Sequence, residues 1–212
     1  MKTQEQIDCR GEFYQLDLEM AFSTQDDVFN SVETAVNETF SGLSNWKKDE
    51  PSYRRIPYKE AMLVYGTDKP DLRNPLVIKD VTGIFQNIEF NAFKGKTVRV
   101  INVPNCSDQP RSFFDNMGDF AIKELGAKGL AWIKVNEDLS MSGPIAKFID
   151  EESKNKMFEL TSSKANDCVF FIAEHEKIAA KQAGAIRDEI ANRLDLLEKE
   201  AYRFAWITDF PM

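Results

Sequence analysis

Glu12, Gln15, Asp17 and Glu19 interrupt Phe13, Leu16, Leu18, Met20 and Phe22 in the stretch GEFYQLDLEMAF. The pattern reads as a short strand, and three carboxylates and an amide on an apolar strand admit two explanations. The strand is a solvated edge, or its polar groups are buried, which is costly unless partners meet them. Alternation places Phe13, Gln15, Asp17 and Glu19 on one face and Glu12, Tyr14, Leu16 and Leu18 on the other. Residue types alone leave both explanations open.

Other routes to chemistry are thin. His175 is the one histidine, so a Ser-His-Asp or Cys-His engine would rest on it alone. It sits in AEHEKIA, between two glutamates at a helix start, where a solvated surface residue is expected. Cys9, Cys106 and Cys168 are odd in number and far apart in sequence, with no CxxC spacing. They read as reduced thiols of a cytosolic protein, and no metal site is expected. A net charge of −8 argues against a nucleic-acid clamp working through bulk electrostatics. The most basic cluster, Lys47, Lys48, Arg54 and Arg55 in WKKDEPSYRR, reads as a solvated loop. No run of ~18 apolar residues is present to span a membrane, and MKTQEQIDCR lacks the apolar core of a secretory signal.

The elements that must position these residues follow from periodicity. STQDDVFNSVETAVNETFSGL opens on a Ser/Thr cap, carries Asp26 and Asp27 in its first turn, and repeats Val28, Val32, Ala35, Val36 and Phe40 at helical spacing. The helix should end near Gly42. IPYKEAMLVYG is a second, shorter helix entered at Pro57 and stopped at Gly66. TDKPDLRNP holds Pro70 and Pro75 among four charged residues, which makes it a rigid, charged loop.

From Leu76 to about Leu197, strands and helices alternate. PLVIKDVT, KTVRVINV, GLAWIKV and DCVFFIA are strands, and GPIAKFI is a short extended piece. SFFDNMGDFAIKELG, DEESKNKMFELTS and EKIAAKQAGAIRDEIANRLDLL are helices. This is a self-contained α/β module, with one further strand, YRFAWITDFPM, after it. Strands on both sides of such a module are what an insertion into a host sheet leaves behind.

GEFYQLDLEMAF, IPYKEAMLVYGTDKPDLR, GAKGLAWIKV, GPIAKFI and FAWITDFPM resemble, in this order, segments of bacterial-type aspartyl-tRNA synthetases. The resemblance runs from Gly11 to Met212. It implies a mixed fold, α+β or α/β: an inserted mixed α/β domain flanked by strands and helices of an antiparallel class II catalytic domain. Residues 11–75 would be a partial catalytic domain, with the second strand of motif 2 and two helices. Residues 76–197 would be the insert, a module shared with a subunit of a tRNA-dependent amidotransferase, and residues 198–212 the return strand.

By this resemblance, Gln15 and Asp17 face the substrate L-aspartate, Asp17 near its ammonium group, with Glu12 and Glu19 as pocket neighbours. Asp68, Lys69, Asp71 and Arg73 lie at the mouth of the active site, or form the hinge into the insert, or both. Lys128, Lys134 and Lys147 are candidates to approach the tRNA acceptor end, against a default of solvated lysines. The parent enzyme would activate aspartate with ATP and Mg2+, charge tRNA in the cytoplasm, and pair as a homodimer through motif 1. Counterparts of the anticodon-reading barrel, motif 1, the first strand of motif 2 and motif 3 are not found here. No catalytic residue is therefore assigned, no ATP contact is carried onto Arg10, and the chain alone is expected to be an inactive fragment that binds no cofactor. The competing expectation is a non-catalytic, tRNA-associated module like that of the amidotransferase subunit. Such a module would have no reason to keep the stretches before and after the insert.

Overall fold

Thr24 opens a helix. Its Oγ1 accepts from the Asp27 backbone N–H at 3.3 Å, and the Asp27 carboxylate accepts from the Thr24 backbone N–H at 2.8 Å. This reciprocal capping box satisfies donors that a helix start leaves free. The Thr24 backbone N–H also holds the Asp27 carboxyl below the usual carboxylate range. Helix α1 then runs Gln25–Leu43 and buries Phe29 and Glu33. The computed structural model describes residues 15–48, 52–85 and 88–211. The chain divides into two units, residues 1–45 and 46–212.

The second unit holds two sheets. Strand β1 (Arg54–Pro57) leads directly into helix α2 (Tyr58–Val64), with Pro57 as its N-cap. β1 pairs in parallel with the last strand, β7 (Ala205–Thr208), placing Ile56 opposite Ile207. Ile56, Ala61 and Tyr65 are buried here against Leu72, Ala205 and Ile207. Sequence periodicity had no access to β1, because RRIP offers a single apolar side chain with nothing to alternate against.

The larger sheet has the order β2-β3-β6-β4-β5, and every neighbouring pair is antiparallel. Its strands are β2 (Ile78–Asp80), β3 (Thr97–Val103), β4 (Ala131–Val135), β5 (Met141–Ser142) and β6 (Cys168–Glu174). Helices α3 (Arg111–Lys123), α4 (Glu151–Thr161) and α5 (Glu176–Arg193) complete it. The fold is therefore mixed, with helices alternating along the chain around an antiparallel sheet.

β3 and β6 are nearly continuous apolar runs because both their faces are covered. Cys168, Phe170 and Ile172 join Ile101 and Val103 in a core with Phe114 and Met117 of α3 and Ala183, Ile186 and Ile190 of α5. Val169 and Phe171 point the other way, onto Val98, Val100, Phe85, Phe93 and Met157 of α4. Phe114 stacks on Phe170 at 5.8 Å between ring centres, and Phe93 on Phe171 at 5.8 Å.

Two expectations are corrected. GPIAKFI is not extended: Ile145 is buried, and Ala146–Phe148 form a 3-10 turn. Gly143 turns the chain at φ +130, where an added Cβ would stand 2.9 Å from the Trp132 carbonyl oxygen. Residues Gln15 to Met20, the described part of the first expected strand, have no strand structure. A strand needs a neighbour to take its backbone hydrogen bonds, and no described strand pairs with this segment.

Candidate functional site

Gln15 and Asp17 are brought together. The Gln15 Nε2 donates to Asp17 Oδ1 at 2.6 Å, which joins the two side chains although the segment has no strand structure. The hydrogen bond occupies one carboxylate oxygen and leaves Oδ2 and the Gln15 carbonyl oxygen for other donors. Gln15, Asp17 and Glu19 are exposed, and Leu16 and Leu18 are 91% and 58% exposed. Within its own unit this segment is an open surface, with polar and apolar side chains alike uncovered. Glu12 lies outside the described residues.

The second group lies in the other unit. Asp71 and Arg73 form a two-pronged ion pair. The guanidinium donates through Nε to Oδ1 at 3.0 Å and through Nη2 to Oδ2 at 2.7 Å, while the Arg73 backbone N–H adds a third bond at 2.9 Å. The Arg73 guanidinium holds the Asp71 carboxyl below the usual carboxylate range, against the opposing effect of burial. A carboxyl depressed in the folded state contributes stability that is present above its unfolded value and lost as pH falls through the folded one. Titration followed by carbon NMR should therefore place Asp71 below about 3.9, the value of a free aspartate side chain. A value at or above it would mean that the pair does not persist in solution. Lys69 is exposed, and its backbone N–H donates to the Thr67 hydroxyl at 3.2 Å. Asp68 is half-buried in the same turn.

Sequence reasoning missed Arg187, the fully buried α5 residue that gathers the backbone of this loop. A lone arginine among helix-forming residues gives no sign of burial until the loop it meets is known. The helix does carry a hint, because Gly184 in its interior marks a close approach by other backbone.

The three candidate lysines separate. Lys134 is committed to the fold: its Nζ donates to the Ser107 and Gln109 carbonyls at 2.5 and 3.2 Å and lies 4.8 Å from the Phe114 ring centre. It has little left to offer a phosphate. Lys147 lies 5.0 Å over the Phe148 ring, and Lys128 is exposed. His175 is exposed at the N-cap position of α5. Cys106 and Cys168, distant in sequence, are buried in the same core as free thiols.

Among the described residues, no group of three or more His, Cys, Asp or Glu side chains is placed to hold a metal ion. No described helix is long and apolar enough to cross a membrane.

Residues 88–183, which contain β3 to β6, match the GAD domain family. The similarity to known proteins extends well beyond this stretch on both sides. The chain is 50% identical over 206 residues to the aspartate–tRNA(Asp/Asn) ligase of Ehrlichia chaffeensis, covering 95% of this chain and 35% of that relative. It is 48% identical over 202 residues to the aspartate–tRNA ligase of Streptomyces coelicolor, covering 95% of this chain and 34% of the relative. The chain thus spans about a third of the length of the curated relatives it matches. The resemblance read from GEFYQLDLEMAF through FAWITDFPM is shown by these matches: the GAD domain is flanked by sequence that is also similar to aspartate–tRNA ligases.

Proposed function

We propose that these 212 residues serve as part of an aspartate–tRNA ligase, in which aspartate is activated with ATP and passed to tRNA. The observation that carries this reading is that the similarity covers 95% of the chain and does not stop at the edges of the GAD domain. An isolated GAD module, as in the amidotransferase alternative, accounts for residues 88–183 and leaves the flanks without a reason. The β1–β7 pair brings the two flanks together beside the GAD domain, which is how an insertion into a host sheet would look. Residues 76–197 would then be the insert, and 11–75 and 198–212 the host.

Within this reading Asp17 receives the ammonium group of L-aspartate. An ammonium-to-carboxylate hydrogen bond is charge-assisted, and its worth rises as water is excluded. Gln15, already bonded to Asp17, orients the carboxylate and offers its own carbonyl oxygen as a further acceptor. For Asp68, Lys69, Asp71 and Arg73 the observation is local: Asp71 fixes Arg73, and in the longer enzyme this charged loop would serve at the mouth of its active site. The longer enzyme works in the cytoplasm as a homodimer, with ATP and Mg2+ held by residues other than those described here.

The experiment is a chimera in which this chain replaces the matching third of the Ehrlichia chaffeensis ligase. Aspartate-dependent ATP–pyrophosphate exchange and tRNA aspartylation are the expected results. A folded chimera that does neither would overturn the reading. The 212-residue chain alone should show no exchange above an enzyme-free blank, because acceleration of the step needs positioned positive charge on the phosphates. Exchange by the clean, isolated chain would refute that assignment of labour.

A further inference from the structure

The connection from α2 to β2, residues 66–76, holds two prolines, a glycine and four charged side chains, and prolines alone do not tie a loop to the elements beside it. The structure holds it from inside. Arg187 projects from α5 with no exposure to solvent. Its Nε donates to the Leu76 carbonyl at 2.6 Å, and its Nη2 to the carbonyls of Asn74 and Asp71 at 2.9 and 3.1 Å. Its Nη1 meets the Asp188 carboxylate at 2.8 Å, and the guanidinium lies 5.2 Å from the Tyr65 ring centre. Asn74 answers in the other direction: Nδ2 donates to the Arg187 carbonyl at 3.3 Å and to Asp188 at 3.1 Å, and Oδ1 accepts from Leu76 N–H at 3.0 Å. The return segment is tied in as well, since Glu198 N–H donates to the Arg73 carbonyl at 3.0 Å.

Buried loop carbonyls need donors, and a loop folded on itself supplies few. A guanidinium offers five N–H groups in a rigid plane, which is what three carbonyls and a carboxylate on different sides require. Arg99 makes a smaller tie of the same kind: buried on β3, it donates through Nη1 to the carbonyl of Leu63 near the end of α2 at 2.9 Å.

We propose that Arg187 is a pin that makes residues 66–76 a rigid coupling, so that α2, β1 and β7 move as one body with the five-stranded sheet. The loop is not a hinge, and the Asp71–Arg73 pair has a fixed place because its backbone is anchored to α5. This inference concerns the fold of the chain and stands whether or not the ligase reading holds.

The test is limited trypsin digestion of the 212-residue chain and its Arg187→Met and Arg187→Lys variants, with fragments identified by mass. The informative bond is Arg73–Asn74, since the proline after Lys69 protects that bond chemically. In the native protein Arg73–Asn74 should resist. Arg187→Met removes every donor and leaves the carbonyls unpaired, so cleavage there should rise on the order of a hundredfold. Cleavage at Arg99 and Lys134, inside the five-stranded sheet, should stay slow. Arg187→Lys keeps the charge but not the planar fork and should fall between. The proposal is overturned if the native chain is cut rapidly at Arg73–Asn74, or if Arg187→Met is cut there no faster than native. Equal acceleration at Arg99 and Lys134 would also overturn it, because Arg187 would then be one more stabilising residue without a local role. Should the variants not fold, hydrogen exchange on the native chain decides: Asn74 and Leu76 amides must be protected alongside those of β3, and exchange at free-loop rates would sink the pin.

Discussion

Replacing Asp17 by alanine in the chimeric ligase should lower kcat/KM for aspartate on the order of 10²–10³-fold, because it removes one partner of a charge pair, worth roughly 3–5 kcal/mol when water is excluded. The reasoning starts from the pair itself. Gln15 and Asp17 already share a hydrogen bond at 2.6 Å, so the carboxylate is oriented before any ligand arrives. Exposed as it is in its own unit, Asp17 costs little to leave without a cation, and Asp17→Ala should hardly change the melting temperature. That separates a binding role from a folding role. Gln15→Ala should act in the same direction but more weakly, since a neutral hydrogen bond is worth about 1 kcal/mol. Glu12→Ala, on the opposite face by alternation, is the control and should cost less than about tenfold. Steady-state kinetics with varied aspartate would settle the matter. An unchanged Asp17→Ala enzyme, or Glu12→Ala as the worse lesion, would show that the polar face was assigned wrongly.

What the sequence revealed, and what it hid, follows from the range of the interactions involved. α1 was legible to within a residue or so because its signals are local: the Thr24–Asp27 capping box and a helical repeat. β3 and β6 were legible as apolar β-branched and aromatic runs, and their burial on both faces explains why they run rather than alternate. β1 was not, because Arg54 to Pro57 become a strand only when β7, about 150 residues later, supplies the partner. The first expected strand failed for the complementary reason: Gln15 to Met20 have the alternation of a strand but no described partner to pair with. In the candidate site, Gln15 and Asp17 share a hydrogen bond, but in a segment without the strand that the period of two led one to expect. The Asp71–Arg73 pair was foreseen as a charged loop, but its anchoring was not. Arg187 lies more than 110 residues from the carbonyls it holds, and apart from the nearby Gly184 nothing local distinguishes it from an exposed helical arginine such as Arg111. Lys134 illustrates the same limit from the other side, having been a candidate for tRNA until Ser107 and Gln109 were found to use its charge.

Gly66→Ala should be among the most destabilising single changes in this chain. Gly66 stops α2 at φ +73, and a Cβ there would stand 2.2 Å from the Ala180 carbonyl oxygen and 2.6 Å from the Gly184 backbone nitrogen. Both obstacles are the backbone of α5, which cannot rotate away as a side chain would. The positive φ costs roughly 1–2 kcal/mol for any residue with a Cβ, and forcing the helices apart adds about 1–3 kcal/mol. The sum, about 2–5 kcal/mol, corresponds to a fall in melting temperature of roughly 5–20 °C for a protein of this size. Gly95 separates the two contributions. It has nearly the same φ, +70, but nothing within 4 Å of an added Cβ, so Gly95→Ala should cost only the backbone share. Gly184 isolates the other share: it is helical, and its Cβ would meet the Tyr65 carbonyl oxygen at 2.8 Å. Alanine is the better helix former by about 1 kcal/mol, so a net loss on Gly184→Ala can come only from the crossing. The same crossing sets the Tyr65 ring under the Arg187 guanidinium. Gly66→Ala should therefore also expose the Arg73–Asn74 bond to trypsin, and Gly95→Ala should not. Equal melting temperatures for the Gly66 and Gly95 variants would mean that α2 and α5 do not approach as closely as described, and the coupling of loop to helix would lose its foundation.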